Sequence, residues 1–122
     1  FIQVWDVATG QRLKTIKGHD DAVLSVVFSK DGRQLLSSSY DKTARLWDVS
    51  SGAEVRKFSG HTWWVWSATF SPDERRVVTS GQDGTAIVWD VASDKRTPAF
   101  TGHRGPVFSA TFSPDGKQVV SA

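Results

Sequence analysis

Two unrelated dipeptides recur along this chain with the same spacing of 42 residues. Gly-His occurs three times and Trp-Asp occurs three times, and the pairs are Gly18-His19, Gly60-His61, Gly102-His103, Trp5-Asp6, Trp47-Asp48 and Trp89-Asp90. Because both series keep one step, insertions and deletions are excluded over nearly all of the 122 residues. A fixed period of about 20–50 residues predicts a repeat architecture in which each repeat is one supersecondary unit.

Within one repeat, short apolar runs alternate with turn-forming residues. Runs rich in β-branched and aromatic residues, bounded by Gly, Pro, Asp and Ser, predict strands joined by tight turns. In the repeat from His19 to Gly60, four strands are predicted at Val23–Phe28, Gln34–Ser38, Thr43–Val49 and Glu54–Phe58. No segment shows a convincing helical period, so we expect an all-β chain.

A 42-residue repeat with Gly-His near one end and Trp-Asp near the other resembles the WD-repeat family of β-propellers, and the resemblance covers essentially the whole chain. It implies propeller blades of four antiparallel strands. We expect complete blades at residues 19–60 and 61–102, flanked by complementary half-blades at 1–18 (strands three and four) and 103–122 (strands one and two). Another antiparallel sandwich is the alternative, which the strict period disfavours.

Fewer than three repeats cannot close a propeller, which usually has about 4–8 blades. Two copies exchanging half-blades head to tail would close a six-bladed ring, and three copies would give nine blades. Closed cyclic symmetry favours the homodimer. The competing interpretation is a window cut from a longer, seven-bladed protein. The absence of methionine and the ends within blades favour a self-assembling fragment, engineered or dissected.

The residue types of a hydrolase triad, with His, Ser or Thr, and Asp, recur in successive repeats. One active site per blade would be unusual, and these positions match a structural tetrad of the WD-repeat family, completed by Trp. The resemblance implies buried hydrogen-bond chains from indole to hydroxyl, imidazole and carboxylate. The tetrad residues are His19, Ser37, Asp41 and Trp47; His61, Thr79, Asp83 and Trp89; and His103 and Ser121, with Trp5 supplied by another copy.

Composition argues against several other functions. The net charge is +2 with no clustered basic stripe, which predicts no nucleic-acid partner. No apolar run reaches membrane-spanning length, which predicts no membrane partner. There is no cysteine, and all three histidines belong to the Gly-His pairs, so we expect no metal site, no cofactor and no catalytic residue. The sequence does not identify the cellular compartment of the protein.

Partner contacts in this family commonly lie on the face of the ring where the channel opens. The matching positions are Ala22, Leu24 and Tyr40; Trp64, Trp66 and Gln82; and Pro106 and Phe108. The middle repeat departs from its neighbours, because Trp63, Trp64 and Trp66 stand where the preceding repeat has Asp21, Ala22 and Leu24.

Trp is unusual at the surface and is enriched among interface residues that dominate binding energy. For Trp63 and Trp64 two roles therefore stay open, contact with a partner and packing within the loop. We expect Trp66 to pack between blades. Tyr40, Arg104 and Asp21 would form a polar rim. The sequence thus predicts a non-catalytic scaffold that binds a protein or peptide at the channel mouth. The alternative is a propeller fragment whose main activity is head-to-tail oligomerisation.

Overall fold

The computed structural model describes residues 1–122, and all of its regular secondary structure is β-strand. The strands follow one another in chain order as β1 (Ile2–Trp5), β2 (Arg12–Ile16), β3 (Val23–Phe28), β4 (Gln34–Ser39), β5 (Thr43–Asp48), β6 (Glu54–Ser59), β7 (Val65–Phe70), β8 (Arg76–Gly81), β9 (Ala86–Asp90), β10 (Ala110–Phe112) and β11 (Val119–Ser121). No helix that is long and apolar enough to cross a membrane occurs in the chain.

These strands form four separate antiparallel sheets, each made of strands consecutive in sequence. We call them the N-terminal pair (β1-β2), the first blade (β3-β4-β5-β6), the second blade (β7-β8-β9) and the C-terminal pair (β10-β11). The prediction of an all-β chain built of antiparallel propeller blades is confirmed. The two strands of the C-terminal pair have three residues each and are shorter than β3 and β4, their equivalents in the first blade, which have six.

The hairpin between the first two strands of a blade is closed by one serine, and the same arrangement occurs in three repeats. The Ser29 hydroxyl donates to Asp31 Oδ1 at 2.7 Å and accepts the backbone N–H of Gln34 at 3.0 Å. Ser71 and Ser113 do the same in the next two repeats. Side chains that bond to nearby backbone groups stabilise turns, so the local sequence itself ends one strand and begins the next.

Three apolar clusters join the four sheets into a row, each cluster lying between neighbours. Between the N-terminal pair and the first blade lie Ile2, Ile16, Leu35 and Trp47. Between the two blades lie Leu36, Ala44, Leu46, Phe58, Val65, Ala68, Val77, Ile87 and Trp89. Between the second blade and the C-terminal pair lie Val78, Ala86, Val88 and Ala110. Burial of these side chains is the main favourable term that holds one sheet against the next.

The second blade differs from the expected four-stranded pattern. Its fourth segment pairs with β9 only through two isolated bridges, Ala86 with Phe100 and Trp89 with Arg96. Pro98 stands where the first blade has Arg56, which pairs with Leu46. Proline has no N–H to donate to a ladder. The Thr97 N–H bonds to the Val88 carbonyl instead, and the Thr97 hydroxyl accepts the Val88 N–H.

Candidate functional site

The first set of triad-like residues forms one connected chain of hydrogen bonds inside the first blade. The Trp47 indole N–H donates to Ser37 Oγ at 2.8 Å, and Ser37 Oγ lies 2.7 Å from His19 Nε2. His19 Nδ1 lies 2.7 Å from Asp41 Oδ2. The Ser37 side chain is fully buried. Because each polar group has a partner, this chain avoids the cost of a buried unsatisfied group, about 1–3 kcal/mol.

The second blade repeats this arrangement with a threonine hydroxyl. The Trp89 indole N–H donates to Thr79 Oγ1 at 2.9 Å, and Thr79 Oγ1 lies 2.7 Å from His61 Nε2. His61 Nδ1 lies 2.9 Å from Asp83 Oδ2.

The protonation states of histidine and aspartate decide which atom donates at each step of the two hydrogen-bond chains. Burial lowers the pKa of His19 and of His61, and it outweighs the opposite effect of the paired aspartates. Burial alone would raise the pKa of Asp41, but hydrogen bonds from Thr43, His19 and a backbone N–H outweigh it and lower that pKa to about 2. The carboxylate is therefore ionised and accepts the Nδ1–H of a neutral imidazole, whose Nε2 accepts the hydroxyl proton. A buried serine held in this way cannot reach a substrate.

The geometry also explains why glycine precedes histidine. A Cβ on Gly18 would stand 2.7 Å from Cη2 of Trp47, and one on Gly60 would stand 2.7 Å from Cη2 of Trp89. Such an approach is too close for any side chain, so the tryptophan ring occupies the space that glycine leaves free. A Cβ on Gly102 would meet no atom within 4 Å, in keeping with the absence of a matching tryptophan beside that residue.

Sequence reasoning missed a buried arginine beside the first of these chains. The Arg45 guanidinium bonds to the Gly18 carbonyl at 2.7 Å, to Glu54 Oε2 at 3.0 Å, to Asp41 Oδ2 at 3.0 Å and to Asp20 Oδ2 at 3.2 Å. A charged residue within the apolar run of β5 was the available signal, since buried arginine is rare unless paired. The second blade has Ile87 at this position.

The third set of tetrad residues is only partly brought together. His103 Nε2 lies 2.9 Å from Ser121 Oγ, and neither residue is buried. Trp5 lies in the N-terminal pair, and its indole makes no hydrogen bond within the chain. One copy of the chain therefore does not assemble the third tetrad.

A bulge in the first strand of each blade re-aims one side chain. In β7, Val65 pairs with Gly81 and Ser67 pairs with Ser80, which leaves Trp66 as the extra residue between them. In β3 the extra residue is Leu24. Such a bulge takes one side chain out of the ordinary in-and-out alternation of the strand.

The same bulge geometry follows in the C-terminal pair. The N–H groups of Phe108 and Ser109 both bond to the carbonyl of Ala122, at 2.8 and 3.2 Å. The bulge residues Leu24, Trp66 and Phe108 are therefore equivalent, each belonging to a different repeat, and two of them are aromatic.

Around Trp66 the structure assembles a contiguous group of five aromatic rings from three repeats, which we call the aromatic cluster: Tyr40, Trp63, Trp64, Trp66 and Phe108. Tyr40 and Trp64 are closest, with ring centroids 4.5 Å apart. Trp66 meets Trp64 edge to face at 6.0 Å and Phe108 at 5.4 Å. Trp63 meets Trp64 edge to face at 6.0 Å. Aromatic pairs of this geometry each stabilise by about 0.5–1.5 kcal/mol beyond the area they bury.

Hydrogen bonds hold the loops that carry the cluster. The Tyr40 N–H donates to the Ala22 carbonyl at 3.0 Å, and the Gln82 N–H donates to the Trp64 carbonyl at 2.8 Å in the next repeat. The Trp66 indole donates to Gln82 Oε1 at 2.9 Å. Backbone and side-chain hydrogen bonds therefore position these rings on the fold.

The cluster is open to solvent at its two ends. Trp63 is 52% exposed and Phe108 is 59% exposed, whereas Tyr40, Trp64 and Trp66 are half-buried. Large exposed aromatic groups are uncommon on monomeric proteins and mark interaction sites.

The other predicted partner residues lie outside these ring contacts. Leu24 is half-buried, and Asp21 and Arg104 are exposed. The Asp21 carboxylate accepts only the adjacent Ala22 N–H, at 2.7 Å, and the Arg104 side chain forms no ion pair. This face therefore presents an aromatic surface, with one negative charge at Asp21 and one positive charge at Arg104 among the candidate residues.

Comparison with known proteins places all three repeats in one family. The family model described as "WD domain, G-beta repeat" matches residues 10–48, 52–90 and 94–122. Over 45 residues, or 37% of this chain, the sequence is 51% identical to the nuclear distribution protein PAC1 of Coccidioides posadasii. Over the same length it is 44% identical to a periodic tryptophan protein 2 homolog of Neurospora crassa and to periodic tryptophan protein 2 of Saccharomyces cerevisiae.

These matches are short relative to the proteins they involve. The aligned segment makes up 10% of the nuclear distribution protein and 5% of the Neurospora periodic tryptophan protein. The likeness therefore concerns the repeat unit that these proteins share with this chain.

Proposed function

The chain belongs to the WD-repeat family, and from this premise we propose that it is a non-catalytic scaffold that binds a protein or peptide through the aromatic cluster. WD repeats serve as protein-interaction scaffolds, and the names of the relatives indicate nothing enzymatic. The observation that carries the proposal is the run of contacting rings from three repeats that ends in exposed Trp63 and Phe108.

The energetics of the cluster suit this role. Its rings are already held by loop hydrogen bonds and by one another, so binding costs little additional ordering of side chains. Tryptophan and tyrosine present large rigid contact areas, and such residues dominate the energy of protein interfaces. We therefore assign Trp63 and Trp64 as anchors, with Tyr40 beside them and Asp21 and Arg104 as a polar rim.

The buried hydrogen-bond chains support the scaffold in a different way. Ser37 and Thr79, the two hydroxyls that would act as nucleophiles, are buried and bonded on both sides. Acyl transfer needs a nucleophile that a substrate can reach and donors for the developing oxyanion. We propose that both chains rigidify the blades that carry the aromatic cluster.

The test is a selection of ligands from a random peptide library on the immobilised chain, followed by affinity measurements on variants. Trp63→Ala and Trp64→Ala should each weaken binding of the selected peptides at least tenfold, because truncating an interface anchor removes about 2 kcal/mol or more. Val55→Ala is the control, since Val55 and Trp63 are similarly exposed, at 53% and 52%, and Val55 lies in β6 outside the cluster. Equal affinity for all three variants would contradict the proposal.

A second candidate function is head-to-tail association of two copies, and the comparisons give it no support. One observation favours it. An open apolar groove lies beside β1, lined among others by Val26, Phe28 and exposed Trp5, while His103 and Ser121 lack an indole partner. Light scattering decides this candidate: a mass of about twice the 13.4 kDa of one chain supports it, and a mass equal to one chain contradicts it.

A further inference from the structure

We propose that the ligand of the aromatic cluster is a proline-rich segment in the polyproline II conformation. This inference rests on the proposed function and specifies the partner by its chemistry. It follows from the polar groups that the cluster leaves free, from the shape of its ring contacts and from the state of the neighbouring carboxylates.

The polar groups that the cluster leaves free are predominantly hydrogen-bond donors. No hydrogen bond within the chain uses the indole N–H of Trp63, the indole N–H of Trp64 or the hydroxyl of Tyr40. No buried side-chain N or O atom lacks a partner, so the Trp64 indole N–H and the Tyr40 hydroxyl reach solvent, and Trp63 is itself 52% exposed. Gln82 accepts the Trp66 indole through Oε1, which leaves its amide N–H groups free to donate as well.

A ligand that matches such a surface presents carbonyl oxygens and few N–H groups of its own. A polyproline II helix has no internal hydrogen bonds, and its carbonyl groups stay open to partners. Each proline also removes one backbone donor, so the segment is rich in unpaired acceptors. An α-helical ligand would use its carbonyl groups internally and would leave the indole donors unpaired.

The shape of the cluster fits the same ligand. The ring planes of Trp63 and Trp64 meet at 79°, and those of Trp64 and Trp66 meet at 89°. The face of one ring and the edge of the next therefore enclose a corner. Pyrrolidine rings pack against aromatic walls of this kind in proline-rich recognition.

The length is also suitable. From Trp63 through Trp64 and Trp66 to Phe108, successive centroids are 6.0, 6.0 and 5.4 Å apart, a path of about 17 Å at most. A polyproline II helix rises about 3.1 Å per residue, so about five or six residues span the cluster.

Two carboxylates that follow cluster residues or their neighbours in sequence are unavailable to a cationic ligand, whereas that of Asp21 stays exposed on the rim. Asp41 follows Tyr40 in sequence, but its oxygens accept hydrogen bonds from His19, Thr43 and Arg45. Asp83 follows Gln82, and its oxygens are likewise bonded inside the second blade. A lysine or arginine held by aromatic rings would find these two charges already paired, and the positive edges of the free indole N–H groups would oppose it.

The experiment titrates the whole 122-residue chain, labelled with 15N, with capped decaproline and follows the indole N–H signals. We expect saturable shifts of the Trp63 and Trp64 indole signals, and no shift of the Trp47 and Trp89 signals, whose N–H groups are buried and bonded. A capped (Gly-Ser)5 peptide of equal length is the control for nonspecific binding. A capped (Gly-Lys)5 peptide tests the cationic alternative.

Two variants separate the hydrogen bonds from the rings. Tyr40→Phe keeps the ring and removes only the hydroxyl, so it should weaken decaproline binding about 2–10-fold, the loss of roughly one hydrogen bond. Trp64→Phe removes the indole donor and also part of the ring, so it should weaken binding at least as much. Val55→Ala, at an exposed position of β6 outside the cluster, should leave it unchanged.

Four outcomes are decisive. Decaproline shifts confined to the cluster, with the losses just described, support the inference. Decaproline shifts that are absent, or that (Gly-Ser)5 or (Gly-Lys)5 reproduces equally, overturn it. If library-selected peptides then still depend on Trp63, the proposed function survives and only the ligand class is wrong. If the selected peptides are indifferent to Trp63→Ala and Trp64→Ala, the proposed function itself fails.

Discussion

In each of the two blades, the tryptophan of the Trp-Asp pair also packs against the glycine of the Gly-His pair. The Trp47 indole N–H donates to Ser37, and the six-membered ring of Trp47 lies in the space left by Gly18. Trp89 has the same relation to Thr79 and Gly60. The 42-residue spacing of Gly-His and Trp-Asp therefore reflects one packing contact made twice.

Loss of the central hydroxyl should cost stability. Ser37→Ala leaves the Trp47 N–H and His19 Nε2 without their buried partner, so we expect the free energy of unfolding to fall by about 1–3 kcal/mol. The change is measured by urea denaturation followed by tryptophan fluorescence. Ser37→Thr is the matched control, because Thr79 fills the equivalent position in the second blade with both hydrogen bonds intact. Equal losses for the two variants would show that volume, and not the hydroxyl, matters here.

At the scale of strands, local pattern was sufficient for most of the fold. The strands of the first blade were predictable because apolar runs and turn residues specify them within a few positions of each other. The bulges at Leu24 and Trp66 were not, since the residue types of β3 and β7 do not mark which residue is left unpaired. Three of the acceptors of Arg45 were also hidden, because Gly18, Asp20 and Glu54 are distant from it in sequence.

The candidate binding residues were likewise predictable one by one but not as a group. The family resemblance pointed to Tyr40, Trp64 and Trp66 one by one, and the departure of the middle repeat pointed to Trp63. Their assembly with Phe108 into one cluster depends on how three repeats pack side by side. The sequence contains no direct signal for that packing.

Pro98 is the residue that interrupts the fourth strand of the second blade. Pro98→Arg introduces the residue that the first blade has at the equivalent position. The variant thereby gains a backbone N–H opposite Val88. We expect this new N–H to exchange with deuterium slowly, at a rate like that of Arg56, because it joins a ladder with β9. Hydrogen exchange followed by NMR measures it. Rapid exchange at position 98 would mean that another feature keeps this edge irregular.

For the molecule as a whole, the two buried hydrogen-bond chains make stability depend on pH. Burial lowers the pKa of His19 and of His61 below the ordinary value of 6.5, so the unfolded chain binds more protons than the folded chain below that pH. This contribution is fully present above pH 6.5 and is lost as the pH falls towards the lowered values. Asp41, whose pKa falls from 3.8 to about 2, adds a second loss between these values.

We therefore expect the free energy of unfolding to be nearly constant just above pH 7, to decline below about pH 6.5 and to decline again below about pH 4. Urea denaturation at a series of pH values gives the profile. Stability that rises as the solution is acidified from pH 7 to pH 5 would contradict the neutral state assigned to both imidazoles.

The bulge in the first strand has a consequence for protein engineering. At Leu24, Trp66 and Phe108 the chain offers one position per repeat at which the side chain is released from the strict in-and-out alternation. Redesigning these three positions would change what the surface recognises, while the glycine, histidine and tryptophan that organise each complete blade stay untouched. The repeat thus keeps the residues that build the fold apart from those that can be varied to set specificity.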